Sequence, residues 1–378
     1  MDIRFTRNAE TTVGIELELH VVDPETGDLA SASNEILGTI GARHPGGQHP
    51  KAKHELFQST IEIITGICAN PAEGKADLEE TLREVQAEAA NRGLKLMSAG
   101  THPFARCADQ LVSPNPRYHT LVEQMQWPAR RLLICGAHYH VGLESGEQAI
   151  AVVNELQRHL PLFVIASASS PYLETEDTGL ASARSKVFES LPTAGLPPIL
   201  TDWHDFESFM QTLLTARCIS SIREVWWDVR PHPDFGTVEL RMCDAPSTLR
   251  ETVALAALAQ ALVADAAGRF NRGELPPPPR EWTIRENRWL AARYGVEAKL
   301  IVDDEGRREP ARAVLERLID DLRPTAERLG SSAELEDVLE LWSIGPSYLR
   351  QRRMIEAGCS LQDVVAGLIE QLETDEPR

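Results

Sequence analysis

The stretch that decides the fold is VGIELELHVV, residues 13–22. Its apolar residues alternate with Gly14, Glu16, Glu18 and His20, and this period of two predicts a half-buried strand. Glu16 and Glu18 then point to one face, which His20 extends. Neighbouring like charges destabilise a sheet unless water or a cation separates them. The strand therefore predicts either a solvent-facing edge or a cation site.

A second strand candidate is GAHYHVG, residues 136–142. His138 and His140 stand two residues apart, so a strand would aim both imidazoles at one face. Neutral imidazole is a common metal ligand and a hydrogen-bond donor to phosphate. Histidines also occur on exposed strand faces, so this motif alone leaves both interpretations open.

Two further strand candidates, WWDVRP (226–231) and TVELR (237–241), are joined by a turn. The first carries Arg230, and the second carries Glu239 and Arg241 on one face. Taken alone, Glu239 and Arg241 fit a surface ion pair that contributes about 0–1 kcal/mol. They equally fit a functional pair.

The segment HELFQSTIEI, residues 54–63, contains two more carboxylates. Glu62 is flanked by isoleucines, where burial of an unpaired carboxylate would be costly. Glu55 lies an odd number of residues earlier, so a regular strand would put it on the opposite face. Both reach one site only if a bulge or bend intervenes.

Together these segments predict an oxygen-rich metal site. Carboxylates with histidine and without cysteine suit Mg²⁺ or Mn²⁺, and carboxylates, metal ions and arginines together serve phosphoryl transfer. The sequence contains no GxxxxGK[ST], GxGxxG or HExxH motif. A nucleotide would therefore be held by metal ions on a sheet rather than by a glycine-rich loop.

The overall composition narrows the class of protein. The 378 residues include 57 acidic and 38 basic side chains, giving a net charge of −19, which disfavours binding to nucleic acid or to an anionic membrane. The six cysteines form no CxxC pair, as expected in a reducing compartment. The most apolar run, Val253 to Ala264, is shorter than the roughly 20 residues of a membrane span. We expect a cytoplasmic protein with small-molecule substrates.

Strand patterns concentrate in about residues 10–245, and helical patterns in about residues 246–373. This distribution predicts an α+β fold with a mostly antiparallel sheet and a helical C-terminal region. We expect one domain over residues 1–378.

Five ordered motifs carry a family resemblance: GIELE (14–18), GTHPF (100–104), HYHVG (138–142), WDVRP (227–231) and FGTVELR (235–241). From about residue 10 to the C-terminal helices, the chain resembles the stand-alone bacterial branch of the carboxylate–amine ligases, also called glutamate–cysteine ligase type 2. The resemblance implies the glutamine-synthetase catalytic fold, in which helices pack on the outer side of a curved antiparallel sheet.

The resemblance also implies an activity. An ATP-dependent ligase of this kind joins a carboxylate, typically the γ-carboxyl of glutamate, to an amine such as that of cysteine through an acyl phosphate. ATP is then a co-substrate, with two or more Mg²⁺ or Mn²⁺ ions. The sequence does not identify the amine, and it leaves the oligomeric state open, a homo-oligomer included.

Roles for individual residues follow from the resemblance. It assigns Glu16, His138 and Glu239 to one metal ion, Glu18, Glu55 and Glu62 to another, and His140 to the nucleotide. Arg230 and Arg241 would stabilise the transferring phosphoryl group, and Arg184 would bind a substrate carboxylate unless it is an ordinary loop charge. Tyr139 departs from the small aliphatic residue frequent in the family, and it points away from the histidines.

Two alternatives remain open from sequence. The same metal site would serve a hydrolase that cleaves a γ-glutamyl amide with water and no ATP. A catalytically inactive metal- or nucleotide-binding regulator is less favoured, because each assigned position keeps a side chain competent for its role.

Overall fold

The computed structural model describes residues 3–378. The strands are β1 (Val13–Val22), β2 (Ala52–His54), β3 (Thr60–Ile64), β4 (Lys95–Met97), β5 (Gly136–Gly142), β6 (Tyr172–Leu173), β7 (Glu176–Asp177), β8 (Val229–His232), β9 (Thr237–Asp244), β10 (Lys299–Ile301) and β11 (Arg308–Pro310). The helices are α1 (Ser33–Gly41), α2 (Pro71–Ala90), α3 (Pro116–Met125), α4 (Trp127–Arg130), α5 (Gly146–Leu156), α6 (Leu160–Ser167), α7 (Arg184–Phe188), α8 (Trp203–Thr215), α9 (Leu249–Arg272), α10 (Glu281–Tyr294), α11 (Ala311–Leu329), α12 (Ser332–Ile344), α13 (Ser347–Glu356) and α14 (Leu361–Thr374).

The central feature is a seven-stranded sheet in the order β2-β3-β1-β5-β9-β8, with β4 also paired to β1. Every strand pair in it is antiparallel, which confirms the predicted α+β layout. The register aligns the polar positions of neighbouring strands: Glu18 lies opposite Glu62, Glu16 opposite His138, and Glu239 opposite both His140 and Arg230. One face of the sheet is therefore charged.

The other face of the sheet packs against helices. Ile15, Leu17 and Leu19 of β1 are buried in the main hydrophobic cluster together with much of α9. The alanine-rich α9 contacts α2, α5, α11 and α12 as well as β1 and β5. By length and composition α9 could cross a membrane, but 72% of its most apolar window is buried within this fold. It is the core helix against which the sheet and the C-terminal helices pack.

The structure differs from the sequence-based expectation in several elements. The sequence pattern of residues 147–168 predicts one helix, but the structure divides it into α5 and α6, because Pro161 lies in the first turn of α6 and cannot continue a helix from α5. The pattern of residues 56–65 predicts a strand, but the structure forms it only over Thr60–Ile64. Helices α1, α3, α4 and α7 were not predicted, and each spans ten residues or fewer.

We propose that residues 1–378 act as one catalytic unit, so that deleting residues 280–378 yields insoluble or inactive protein. The deletion uncovers the face of α9 that contacts the apolar stripe of α11, formed by Leu315, Leu318, Ile319 and Leu322. Burial of each such side chain stabilises the fold by roughly 1.5–3 kcal/mol. Soluble yield, circular dichroism and turnover of the truncated chain check this. A soluble truncation with full activity would contradict it.

Candidate active site

A cavity of about 600 Å³ lies over the charged face of the sheet. Eight of the ten site residues expected from sequence line it: Glu16, Glu18, Glu55, Glu62, His138, Arg184, Arg230 and Arg241. The other two, His140 and Glu239, are buried beside it and contact Glu16, Arg230 or Arg241. The structure thus brings all ten side chains to one region.

Glu18, Glu55 and Glu62 form an all-carboxylate group whose ligand oxygens lie within 4.8 Å of one another. Glu55 reaches Glu62 because the chain leaves β2 after His54 and turns before β3 begins. This is the bend that the odd spacing required.

The electrostatics of this group favour binding of a cation. Burial, and then the charge of Glu18, raise the pKa of Glu55 to about 8. Burial, and then Glu55, raise the pKa of Glu62 well above its ordinary value. Across residues 3–378, no lysine or arginine forms an ion pair with any of the three carboxylates. An all-oxygen donor set with this repulsion fits a hard divalent cation.

Glu16 sits between the two histidines of β5. Its carboxylate lies 3.0 Å from His138 Nδ1 and 3.3 Å from His140 Nε2. Burial alone would raise the pKa of Glu16, but the hydrogen bonds with His138 and His140 hold it well below its ordinary value. Glu16 therefore stays ionised at neutral pH.

The grouping around Glu16 differs in one respect from the expected trio of Glu16, His138 and Glu239. The structure groups Glu16 with Glu62 and His138, and separately with His140 and Glu239. The reason is the register of β5 and β9, which puts Glu239 opposite His140 rather than His138.

Glu239 and its arginines form a buried cluster. Arg230 binds both carboxylate oxygens of Glu239, with Nε 2.7 Å from Oε2, and Arg241 binds Oε1. Burial raises the pKa of Glu239, but the charges of Arg230 and then Arg241 outweigh it and hold the pKa well below its ordinary value. The Glu239 side chain is only 2% exposed, so the surface-ion-pair interpretation is wrong.

Arg184 lies at the start of α7 with 2% exposure, which excludes an ordinary loop charge. Its terminal nitrogens lie 3.4 and 3.5 Å from the backbone oxygen of Arg241, and its Nε has no hydrogen-bond partner among the described residues. A Cβ at Gly136 would overlap the Arg184 guanidinium. Glycine at 136 is thus what lets this side chain lie against the sheet.

Several cavity residues were missed by sequence reasoning. Lys53, Arg117, Tyr118, Arg223, His232 and Phe235 also line the cavity. Phe235, at the tip of the β8–β9 hairpin, stacks on His232 with ring centroids 4.1 Å apart. The turn PHPDFG carried a signal for this pair, because it holds an aromatic residue beside a histidine. Arg117 and Tyr118 belong to α3, a helix that was not predicted.

His20 does not extend the site as expected. It shares a face with Glu16 and Glu18, but it is fully buried beside His102, with Nδ1 3.7 Å from Cys135 Sγ. Burial, and then His102, lower its pKa to about 3, so it is a neutral core residue. Tyr139 lies in the hydrophobic core on the opposite face, as expected.

Comparison with known proteins agrees with this geometry. The family model for glutamate–cysteine ligase family 2 matches residues 12–372. A relative from Frankia casuarinae named "Putative glutamate–cysteine ligase 2-1" is 49% identical, covering 100% of this chain and 99% of its own. Another, from Thermobifida fusca and named "Putative glutamate–cysteine ligase 2", is 45% identical, covering 100% and 94%.

The fold has a solved counterpart. A glutamate–cysteine ligase from Francisella tularensis in complex with AMP superposes with a TM-score of 0.70 at 11% identity, covering 98% of this chain and 90% of that one. The fold is thus that of the glutamine-synthetase-like ligases. The chain belongs to glutamate–cysteine ligase family 2, and it is an ATP-dependent ligase that forms a carbon–nitrogen bond.

Proposed function

We propose that the protein joins the γ-carboxyl of glutamate to an amine, with cysteine the first candidate, through an acyl phosphate. The relatives named above are glutamate–cysteine ligases by name, which supports the substrate class. The observation that carries the proposal is the arrangement of the cavity. Unpaired carboxylates on one side face Arg184 and Arg241, each of which has a buried Nε without a partner in the described chain.

The proposal requires divalent cations. Glu18, Glu55 and Glu62 would hold one Mg²⁺ or Mn²⁺. Glu16 would hold a second ion, with further ligands from the two groups that it joins: His138 from one, and His140 and Glu239 from the other. The first donor set fits, because Glu18, Glu55 and Glu62 form no ion pair with a lysine or arginine among residues 3–378 and no cysteine takes part. Such ions neutralise phosphate charge and orient the γ-phosphoryl group when bound.

Arg184 is the group best suited to the substrate carboxylate. A guanidinium binds a carboxylate through paired N–H donors. Arg184 lines the cavity, and its buried Nε has no partner among the described residues. The surrounding glutamates would repel an anionic substrate, so a fixed cation at this point determines where the substrate carboxylate binds.

The arginines of β8 and β9 serve the first chemical step. A carboxylate oxygen of the substrate attacks the γ-phosphorus of ATP, and ADP leaves. Arg241 stabilises the charge on the transferring group, while Glu239 holds Arg241 and Arg230 in place. The amine nitrogen then attacks the acyl carbon, phosphate leaves, and the amine proton passes to a nearby carboxylate or to water.

An assay of ADP release and amide formation tests this function. With glutamate, Mg²⁺-ATP and a panel of amines, we expect one ADP for each amide formed, and no turnover in excess chelator. Arg184→Met should raise the KM for glutamate far more than the KM for ATP, because it removes only the carboxylate partner.

Two outcomes would contradict the proposed ligation. Loss of a γ-glutamyl amide in water without any ADP would identify a hydrolase. Binding of Mg²⁺-ATP without turnover of any carboxylate–amine pair would identify an inactive regulator.

Variants of Glu239 and Arg241 should fail in different ways. Glu239→Gln keeps the shape but removes a ligand charge, so we expect a higher metal requirement together with a lower rate. Arg241→Ala should leave the metal requirement near normal and lower kcat by about 10²–10³-fold, or roughly 3–4 kcal/mol. Turnover across a Mg²⁺ titration measures both effects.

The matched control is the exposed ion pair between Arg323 and Glu336 on α11 and α12. Arg323→Ala and Glu336→Gln should change stability by at most about 1 kcal/mol and leave the rate unchanged. A near wild-type kcat in Arg241→Ala would remove that residue from the reaction.

A further inference from the structure

We propose that Arg288 on α10 is a positioning residue that locks the Arg184 segment and the β8–β9 strands into one active geometry. This rests on the function proposed above, because it concerns how the carboxylate-binding and phosphoryl-binding arginines are held relative to each other. Arg288 does not line the cavity, so it acts through other residues.

Arg288 uses its whole guanidinium to join two acids from different segments. Nε binds Asp228 Oδ2, and one terminal nitrogen lies 3.0 Å from Asp228 Oδ1. The other terminal nitrogen lies 2.9 Å from Glu189 Oε2. Arg288 is 2% exposed and Asp228 is 1% exposed. A buried arginine shared in this way fixes the distance between the two acids.

Asp228 connects this contact to the phosphoryl-binding strands. It immediately precedes β8, and its backbone oxygen accepts a hydrogen bond of 2.7 Å from the Arg241 backbone N–H. Its own N–H donates to Gly195 at 2.7 Å. The side chain of Asp228 is therefore the point at which α10 holds the backbone of Arg241.

Glu189 connects the same contact to the carboxylate-binding segment. It directly follows α7, the helix that begins with Arg184, and its N–H donates to Ser185 within that helix. The other end of α7 is fixed by the Arg184 N–H, which donates to Ser170 Oγ at 3.0 Å. Releasing Glu189 would remove the ion pair that ties this end of α7 to α10.

Lysine cannot replace Arg288 in this role. An ammonium group is a point charge without the planar fork that satisfies two carboxylates in fixed directions. A displacement of about 1 Å at a reacting group can cost 10²-fold in rate. We therefore expect Arg288→Lys to keep the charge but lose the alignment.

The chain offers a matched control for the cost of disturbing a buried ion pair. Arg350 on α13 pairs with Glu251 on α9 at 2.8 Å, and the two side chains are 3% and 5% exposed. Neither residue lines the cavity. Arg350→Lys should therefore lower stability as Arg288→Lys does, without changing the active site.

The experiment compares both variants with the wild-type enzyme in melting temperature, kcat, KM for glutamate and ATP, and hydrogen exchange. Both variants should melt at lower temperature. Only Arg288→Lys should lose about 10²-fold in kcat/KM with a raised KM for glutamate. Only Arg288→Lys should show faster backbone hydrogen exchange in residues 184–195 and 225–241. Arg350→Lys should keep kcat and KM within about twofold of the wild-type values.

Arg288→Lys with kinetics and exchange in these segments like those of Arg350→Lys would overturn the proposal. Should Arg288→Lys not fold, Glu189→Gln replaces it, since it leaves the buried Asp228 pair intact and Glu189 is 37% exposed. Glu189→Gln should raise the KM for glutamate at nearly unchanged melting temperature; an unchanged KM would overturn the proposal. Absence of turnover in the wild type would refute the proposed function instead, and hydrogen exchange would still test the lock.

Discussion

The rest of the structure depends on the repulsion among carboxylates gathered on one face of β1 and β3. Glu16 and Glu18 stand on the same face of β1, and Glu62 stands opposite Glu18 on β3. Buried like charges must be neutralised by protons, cationic side chains or bound cations. The strands beside β1 and β3, and the segments packed over the charged face, supply groups that neutralise part of this charge.

The neutralisation is unequal across the cavity. On the β5–β9–β8 side, histidines hold Glu16 while Arg230 and Arg241 hold Glu239, so both carboxylates remain ionised. On the β2–β3 side, burial raises the pKa of Glu55 and Glu62, and neither carboxylate forms an ion pair with a lysine or arginine among residues 3–378. In the proposed reaction, the arginines of the first side would stabilise the phosphoryl group, and the carboxylates of the second would hold a divalent cation. This asymmetry follows from the sheet register rather than from any single motif.

Sequence alone predicted the parts of the site that lie on regular strands. The period of two fixed the faces of Glu16, Glu18, His138 and His140, because alternation in a strand is a local property. It could not place Glu55, whose position depends on a turn outside any strand. It also could not show whether Glu239 contacts His138 or His140, or that Gly136 makes room for Arg184, since register and packing are non-local.

The central claim is that the substrate carboxylate is activated by phosphoryl transfer within this cavity, and oxygen labelling tests it most directly. Glutamate carrying ¹⁸O in its γ-carboxyl is supplied with ATP and the amine, and the released phosphate is examined by mass spectrometry. Passage through an acyl phosphate predicts transfer of one ¹⁸O atom to phosphate for each amide formed. Phosphate free of label alongside amide formation would contradict the account.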